Sequence, residues 1–156
     1  MLFGSSGKLA KISDFNIAFN GDPIKRITEF KYLGVIFSEN LSCSAHVEYT
    51  LCRAGKRLGM LRRIRDNLTA HCANTIYTSF IRPIVEYCSC VWGSCGSVNT
   101  SLLEQFQRRA ARLVSRINDS DVALDYLRWP LLRTRHDQSI YKLVKKCLQG
   151  RCLQFF

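Results

Sequence analysis

The sequence predicts an α+β fold, mostly α, in which a short N-terminal antiparallel β-ribbon precedes a bundle of about four to five helices. Up to about residue 40, apolar and polar residues alternate with the two-residue period of a strand. Beyond Ser42 the apolar residues recur every three to four positions, which is the period of an amphipathic helix. The chain has 156 residues, 47% of them hydrophobic. This length suffices for one modest domain with its own core.

The β-ribbon is predicted over residues 1–40. Phe15–Phe19 alternates apolar and polar residues, Asn20-Gly21-Asp22 indicates a turn, and Pro23–Ile27 forms the predicted returning strand. Phe30–Phe37 is rich in aromatic and β-branched residues and predicts a further strand. A ribbon of this size is marginal in isolation, so it needs another surface to pack on.

The rest of the chain, 41–156, is predicted to be helical. The periodicity predicts helices over 44–66, 70–92, 101–117, 122–127 and 131–148. Thr69 is placed to cap the second helix, and Ser101 followed by Glu104 has the spacing of a capping box at the start of the third. Pro83 lies inside the second helix and predicts a kink, because it lacks an N–H and its ring collides with the preceding turn.

The balance of charges predicts a polyanionic partner. Lys and Arg total 23 against 12 for Asp and Glu, which gives a net charge of +11 and a pI near 9.6. A surplus of this size attracts nucleic acid first and an anionic membrane surface second. Arginine dominates the surplus, and its planar guanidinium donates two parallel hydrogen bonds to a phosphate.

Two groups of arginines are the candidate nucleic-acid-binding residues. In the predicted helix 101–117, the arginines fall within about 100° on the side opposite the apolar residues. The second group of arginines lies in the predicted helix 44–66. Each group has two interpretations, a helix face that is only exposed to solvent and a helix face that contacts a polyanion. Both interpretations stay open. The candidates are Arg57, Arg62, Arg63, Arg65, Arg108, Arg109, Arg112 and Arg116.

No pattern in the sequence predicts catalysis, a metal site or a cofactor. Two-metal phosphoryl transfer needs carboxylates that converge on two cations. The nearest grouping, Asp119, Asp121 and Asp125, interrupts the helical pattern, where capping and turn formation account for it. Glycine-rich phosphate-binding loops are absent. The sequence therefore predicts no catalytic residue.

The cysteines and the apolar segments predict neither a metal site nor a membrane span. The eight cysteines include no C-x-x-C pair, so structural zinc is disfavoured and most are predicted to act as small hydrophobic residues. No window reaches the roughly 18 or more uncharged apolar residues of a membrane span, so no membrane partner is expected.

Five ordered segments, which together extend over nearly the whole chain, carry a resemblance to a known family. The first is Phe30–Val35, which resembles the F-x-Y-L-G-V strand of the reverse transcriptases of non-LTR (LINE-type) retrotransposons. The others follow it in the family's order. They are Arg57–Arg65, Tyr77 with Phe80–Cys88 and Val91–Gly93, Gln105–Val114, and Leu127–Leu131 with Arg135.

The resemblance implies a C-terminal fragment of such an enzyme: the end of the palm with the primer-grip hairpin in 1–40, and a thumb-like region in 41–156. Phe30, Tyr32, Leu33 and Gly34 match the primer grip. The family performs RNA-directed DNA polymerisation, and its Mg²⁺-binding palm aspartates match positions upstream of this chain. The fragment is therefore expected not to be an enzyme on its own.

The resemblance also implies partners and a location. The expected partners are an RNA or DNA duplex, bound weakly and without sequence specificity, and the palm and fingers of a longer polypeptide. The resemblance implies that the protein acts in the nucleus. Two alternatives remain from the sequence: a protein-interaction or structural module, with Tyr32, Val35 and Phe37 as an exposed apolar patch, or a genomic relic without a selected function.

Overall fold

The computed structural model of the protein describes residues 1–12, 17–94 and 96–151. The chain divides into two compact units, Met1–His46 and Val47–Phe156. The first contains two small antiparallel sheets and the second is helical, so the predicted α+β, mostly α class is confirmed. Within the described part of the chain, no helix has both the length and the apolar character needed to cross a membrane.

The first unit begins with a short helix, α1 (Ser6–Ala10), which the sequence did not predict. Strands β1 (Ala18–Phe19) and β2 (Asp22–Pro23) then pair antiparallel. The turn between them is made by Asn20 and Gly21, with φ of 53° and 90°. Two residues with positive φ are the signature of the Asn-Gly hairpin turn, so the predicted turn is confirmed. The strands are shorter than predicted, and 13–16, which include the start of the predicted strand, lie outside the described residues.

The segment predicted as one strand, Phe30–Phe37, is a second hairpin, so that prediction was wrong. Strands β3 (Glu29–Tyr32) and β4 (Val35–Ser38) pair antiparallel, with Tyr32 opposite Val35. The chain reverses at Leu33 and Gly34, with φ of 46° and 86°. Glycine adopts this conformation without strain, whereas leucine at positive φ costs about 1–3 kcal/mol. Because leucine is not a typical residue at the first position of such a turn, the sequence pattern did not indicate the turn.

The helices of the rest of the chain follow the predicted order. They are α2 (Ser44–Ile64), continued by a 3-10 turn (Arg65–Asn67), α3 (Ala70–Ile76), a π-helical segment (Tyr77–Ile81), α4 (Arg82–Glu86), α5 (Ser89–Trp92), α6 (Gly96–Ser115), α7 (Ser120–Leu127) and α8 (Leu132–Leu148). The predicted cap of α3 is confirmed, because the Thr69 hydroxyl accepts a hydrogen bond from the Cys72 N–H. Helix α6 packs against α3, α7 and α8.

The predicted continuous helix 70–92 is interrupted twice. A π-helical segment, Tyr77–Ile81, lies directly before Arg82 and Pro83, where the sequence predicted a kink. Proline removes a backbone donor and displaces the preceding turn, and an extra residue in that turn relieves the collision. The second interruption is at Cys88, whose φ of 52° ends α4 and starts α5.

The predicted capping box at Ser101 and Glu104 was wrong. Helix α6 begins earlier, at Gly96, and the Ser101 hydroxyl donates to the Ser97 carbonyl inside the helix. The Glu104 carboxylate instead accepts a hydrogen bond of 2.9 Å from the backbone N–H of Arg133 in the first turn of α8. Glu104 therefore satisfies an orphan donor of another helix, which no local pattern could indicate.

Aromatic side chains join the segment 70–92 to the start of α8. The Trp92 indole N–H donates to the Tyr87 carbonyl at 2.7 Å, and its ring meets His136 edge to face with centroids 5.2 Å apart. Tyr77 and Trp129 stack at 4.1 Å, and both are buried. Rings of this size dominate the burial of apolar surface, so these contacts hold α8 against the core.

A cluster of ionised groups lies beside these rings. The Arg135 guanidinium donates through Nε to Glu86 Oε1 and through its terminal nitrogen to Glu86 Oε2 at 3.1 Å. Arg82 approaches the same carboxylate at 3.7 Å. The hydrogen bond to Glu86 raises the pKa of Arg135. A two-point contact between guanidinium and carboxylate fixes orientation as well as charge, so this cluster sets the position of α8 on α4. We call these three residues the Glu86 cluster.

Candidate nucleic-acid interface

Helix α6 has the two-sided character that its periodicity predicted. Leu103, Phe106, Ala110 and Val114 are buried on one side. Arg109 and Arg112 are exposed on the other. The apolar side makes the helix part of the core, and this leaves the basic side in contact with solvent.

Arg108 and Arg116 are held by neighbouring carboxylates. Arg108 donates to the Ser120 hydroxyl at 3.0 Å and to Asp121 Oδ1 at 2.5 Å, and so joins α6 to the first turn of α7. Arg116, just beyond α6, donates to Asp66 Oδ1 at 3.0 Å. Both aspartate side chains are largely exposed, and exposed ion pairs contribute only about 0–1 kcal/mol. A phosphate can replace either partner at little cost.

Arg65 is placed differently from the other candidates. It is 5% exposed and donates to the carbonyls of Leu113 at 3.0 Å and Val114 at 2.7 Å, with a further bond to Leu68 at 2.7 Å. The carbonyls in the last turn of α6 lack partners within the helix and carry partial negative charge, so a buried cation suits them. The chain tightens into a 3-10 turn at this residue, which takes it off the exposed face predicted for it. We therefore leave Arg65 out of the interface.

The remaining arginines of α2 lie on its surface. Arg57 donates to the Phe80 carbonyl of the π-helical segment at 2.8 Å. Arg62 and Arg63 are exposed. Neither they nor Arg112 form a hydrogen bond or an ion pair with another residue of 1–12, 17–94 or 96–151. Their donors are consequently available to a ligand.

Helices α2 and α6 enclose a basic groove made of two cavities, which have volumes of about 460 and 520 Å³ and share Arg109 and Arg112. The first cavity is lined by Gly55, Leu58, Gly59, Arg62, Arg109, Arg112, Leu113 and Asn118, and the second by Leu51, Leu102, Gln105, Phe106, Arg108, Arg109, Arg112 and Ser120. Their lining contains no carboxylate. We call this the α2/α6 groove. Sequence reasoning found its arginines but missed the groove, because only the tertiary structure brings residues of α2 and α6 around the same cavities.

The primer-grip-like residues lie on the second hairpin. Phe30 and Tyr32 are exposed and nearly parallel, with ring centroids 6.4 Å apart and planes inclined by 26°. Leu33, in the turn before Gly34, is 74% exposed. The apolar patch predicted for this ribbon is smaller than expected, because Val35 is 5% exposed, Phe37 is half-buried and only Tyr32 of the three is exposed.

A histidine supports the same hairpin from the start of α2. The Ile36 N–H donates to His46 Nδ1 at 3.2 Å, so this nitrogen carries no proton. Burial, and secondarily the charge of Lys31, lowers the pKa of His46.

One of the three aspartates near residue 120, Asp119, caps α7. Its Oδ1 accepts from the N–H groups of Val122 and Asp121, and these hydrogen bonds lower the pKa of Asp119. This confirms the capping interpretation for Asp119. Among the described residues, no three His, Cys, Asp or Glu side chains are grouped so that they could hold a metal ion. The described cysteines are exposed or half-buried, so the prediction that most act as core hydrophobic residues was wrong for them.

Comparisons with known proteins find one distant similarity. The chain is 24% identical over 102 residues to a probable RNA-directed DNA polymerase from transposon BS of Drosophila melanogaster. The alignment covers 64% of this chain and 11% of that protein, so the chain spans a small part of the relative it matches. No protein-family model and no solved structure matches it. The similarity supports a reverse-transcriptase-like origin.

Proposed function

We propose that this chain is the thumb-like, C-terminal part of a retrotransposon reverse transcriptase, and that it holds a nucleic-acid duplex by its phosphates without reading sequence. The observation that carries the proposal is the basic side of α6, where Arg109 and Arg112 are exposed beside Arg62 of α2. The similarity to a transposon polymerase supports the same assignment.

The chemistry of the arginines favours phosphate over bases. A guanidinium donates two parallel hydrogen bonds to phosphate oxygens, and such contacts position a duplex without specifying it. Each neutralised phosphate releases condensed counterions, so log Kd should rise by about 0.9 per contact for each tenfold increase in salt. Arg108 and Arg116 add to the set once a phosphate replaces Asp121 and Asp66.

In this proposal the chain has no polymerase activity by itself. Template copying would require the palm aspartates and their Mg²⁺, supplied by the palm and fingers of a longer polypeptide. The protein would act in the nucleus. The exposed rings of Phe30 and Tyr32, with Leu33 and Gly34 at the turn, would flank the end of a primer. Aromatic faces stack on bases irrespective of sequence, which suits that role.

The test is duplex binding by a double variant of α6, Arg109→Gln with Arg112→Gln. We expect at least a tenfold loss of affinity at 50 mM salt, because each charge-assisted hydrogen bond contributes about 1.5–3 kcal/mol. We also expect a salt slope smaller by about 2. The matched control is Lys142→Gln with Lys145→Gln, which removes the same charge from the exposed surface of α8.

The same measurements test whether binding is electrostatic. Equal losses in the two double variants would show that net charge alone attracts the duplex. Unchanged affinity of the original chain between 50 and 300 mM salt would contradict phosphate binding altogether. DNA synthesis by the purified 156-residue chain would overturn the non-catalytic assignment.

The exposed C-terminal half of α8 favours a second candidate function, a protein-interaction module. Tyr141, Leu143, Val144 and Leu148 are between 43% and 83% exposed. Tyr141, Val144 and Leu148 recur at helical spacing and so share one side of α8. Exposed apolar side chains that share one side of a helix are typical of an interaction site. A chain that self-associates in gel filtration and binds no duplex would favour this candidate over the first.

A further inference from the structure

The α2/α6 groove differs from a simple basic surface because apolar side chains share its lining with the arginines. Leu51, Leu102 and Leu113 line the two cavities and are at least partly exposed. Phosphates alone gain nothing from these side chains. A ligand that combines negative charge with apolar or aromatic faces would use both parts of the lining.

Arg109 makes a cation–π contact in this groove. Its guanidinium lies over the ring of Phe106, with Cζ at 5.6 Å from the ring centroid, and Phe106 is 4% exposed. A guanidinium that is positioned by a buried ring is a surface on which a base can stack.

The wall formed by α2 is open to the approach of a ligand. Gly55 and Gly59 lie one turn apart in the helix and line the first cavity. A Cβ added at either residue would meet no other atom within 4 Å, so packing in this structure does not require glycine at these positions. The absence of side chains leaves room beside Arg62 for a sugar–phosphate backbone.

We infer that the α2/α6 groove binds a single nucleic-acid strand, with its phosphates on Arg62 and Arg112 and a base stacked on Arg109. This inference rests on the proposed function and extends it from duplex to single-stranded ligand. A duplex keeps its bases stacked inside and presents phosphates, whereas a single strand exposes base faces that the Arg109 guanidinium and the exposed leucines of the lining can contact. Each cavity falls in the range of roughly 300–1,000 Å³ that holds a small-molecule ligand, which corresponds to about one nucleotide.

The decisive comparison uses two cationic residues of α2. Arg62 lines the groove and Lys56 does not, although both are exposed and both carry one charge. The probe is an oligothymidylate of about 12 nucleotides, a length within the 4–16 nucleotides that single-strand-binding folds cover. We expect Arg62→Gln to weaken its binding about tenfold and Lys56→Gln to weaken it no more than about twofold.

A second pair of variants tests the groove without changing charge. Gly59→Gln places a side chain in the first cavity, whereas Met60→Gln, on the exposed part of the same turn, does not. Glutamine is a better helix former than glycine, so Gly59→Gln should fold, and thermal unfolding verifies it. We expect loss of oligothymidylate binding in Gly59→Gln alone, with duplex binding reduced less than single-strand binding.

The outcomes separate this inference from the proposed function. Equal effects of Arg62→Gln and Lys56→Gln, or unchanged oligothymidylate binding in Gly59→Gln, would overturn the groove assignment while salt-dependent duplex binding remained. Failure of the original chain to bind either nucleic acid would overturn both. Selective loss in Arg62→Gln and Gly59→Gln would support the groove.

Discussion

The Glu86 cluster and the α2/α6 groove both contain arginines but differ in what surrounds these arginines. In the cluster, Arg82 and Arg135 meet the same carboxylate and are partly buried. In the groove, Arg62 and Arg112 face solvent with no carboxylate in the lining. An arginine with a buried partner fixes the fold, and an exposed one without a partner is available to a ligand.

The residues that position helices and those proposed to bind nucleic acid lie on different segments. The segment Tyr77–Gly93 supplies Glu86, Trp92 and the break at Cys88, all of which position helices. The residues proposed to bind nucleic acid lie mainly on α2 and α6. The two roles are therefore separated along the chain.

The largest expected effect concerns Arg65, which belongs with the structural arginines. Arg65→Ala removes the donor to the carbonyls of Leu113, Val114 and Leu68 and leaves them unsatisfied. We expect the free energy of unfolding to fall by about 3–5 kcal/mol, measured by urea denaturation. Arg63→Ala is the control and should cost less than about 0.5 kcal/mol. A loss at Arg65 as small as the control would contradict the structural role.

The Glu86 cluster gives the next prediction. Glu86→Gln keeps the shape of the side chain but removes the charge that Arg135 and Arg82 face, so we expect a loss of about 2–3 kcal/mol. Glu48→Gln, at an exposed position of α2, serves as the control for loss of one carboxylate. Equal thermal stability of the two variants would show that the cluster contributes no more than a surface pair.

Substitutions at two glycines are expected to change the stability of the fold in opposite directions. A Cβ at Gly93 would collide with the Ser89 carbonyl and press on His136 Cβ at 3.2 Å, so Gly93→Ala should destabilise the fold by about 1–3 kcal/mol. A Cβ at Gly59 meets open space, so Gly59→Ala should stabilise α2 by about 0.5–1 kcal/mol. Thermal unfolding measures both, and the same sign for the two variants would contradict this picture.

The smallest expected effect is a dependence of stability on pH. Burial and Lys31 lower the pKa of His46 from 6.5, and burial lowers that of His136, so the unfolded chain takes up protons first as the pH falls. Stability should therefore decrease below about pH 6.5, by at most about 1.4 kcal/mol per pH unit for each histidine. His46→Gln should flatten the decline seen in unfolding experiments at pH 5 to 7. An unaltered decline in this variant would exclude His46 as a contributor.

Periodicity predicted the main elements because each helix buries a stripe of its own residues. The caps at Thr69 and Asp119 also followed from sequence, since the hydrogen bonds span only two or three residues. Predictions failed where a distant partner decided the outcome. Glu104 bonds to Arg133 of α8, and Arg65 bonds to the end of α6.

The candidate site was predictable only in part, for the same reason. The side of α6 that carries Arg109 and Arg112 follows from helical geometry. The groove needs α2 beside α6, and the availability of each arginine depends on whether a carboxylate or a carbonyl lies near it.

The sequence by itself determined the α+β class, the order of the helices, the basic charge and the resemblance to a reverse transcriptase, because all of these depend on local spacing and composition. Only the tertiary structure decided which arginines are structural and which line a groove. Burial and hydrogen bonding to residues far apart in sequence set the role of a charged side chain, and neither is encoded in its immediate neighbours.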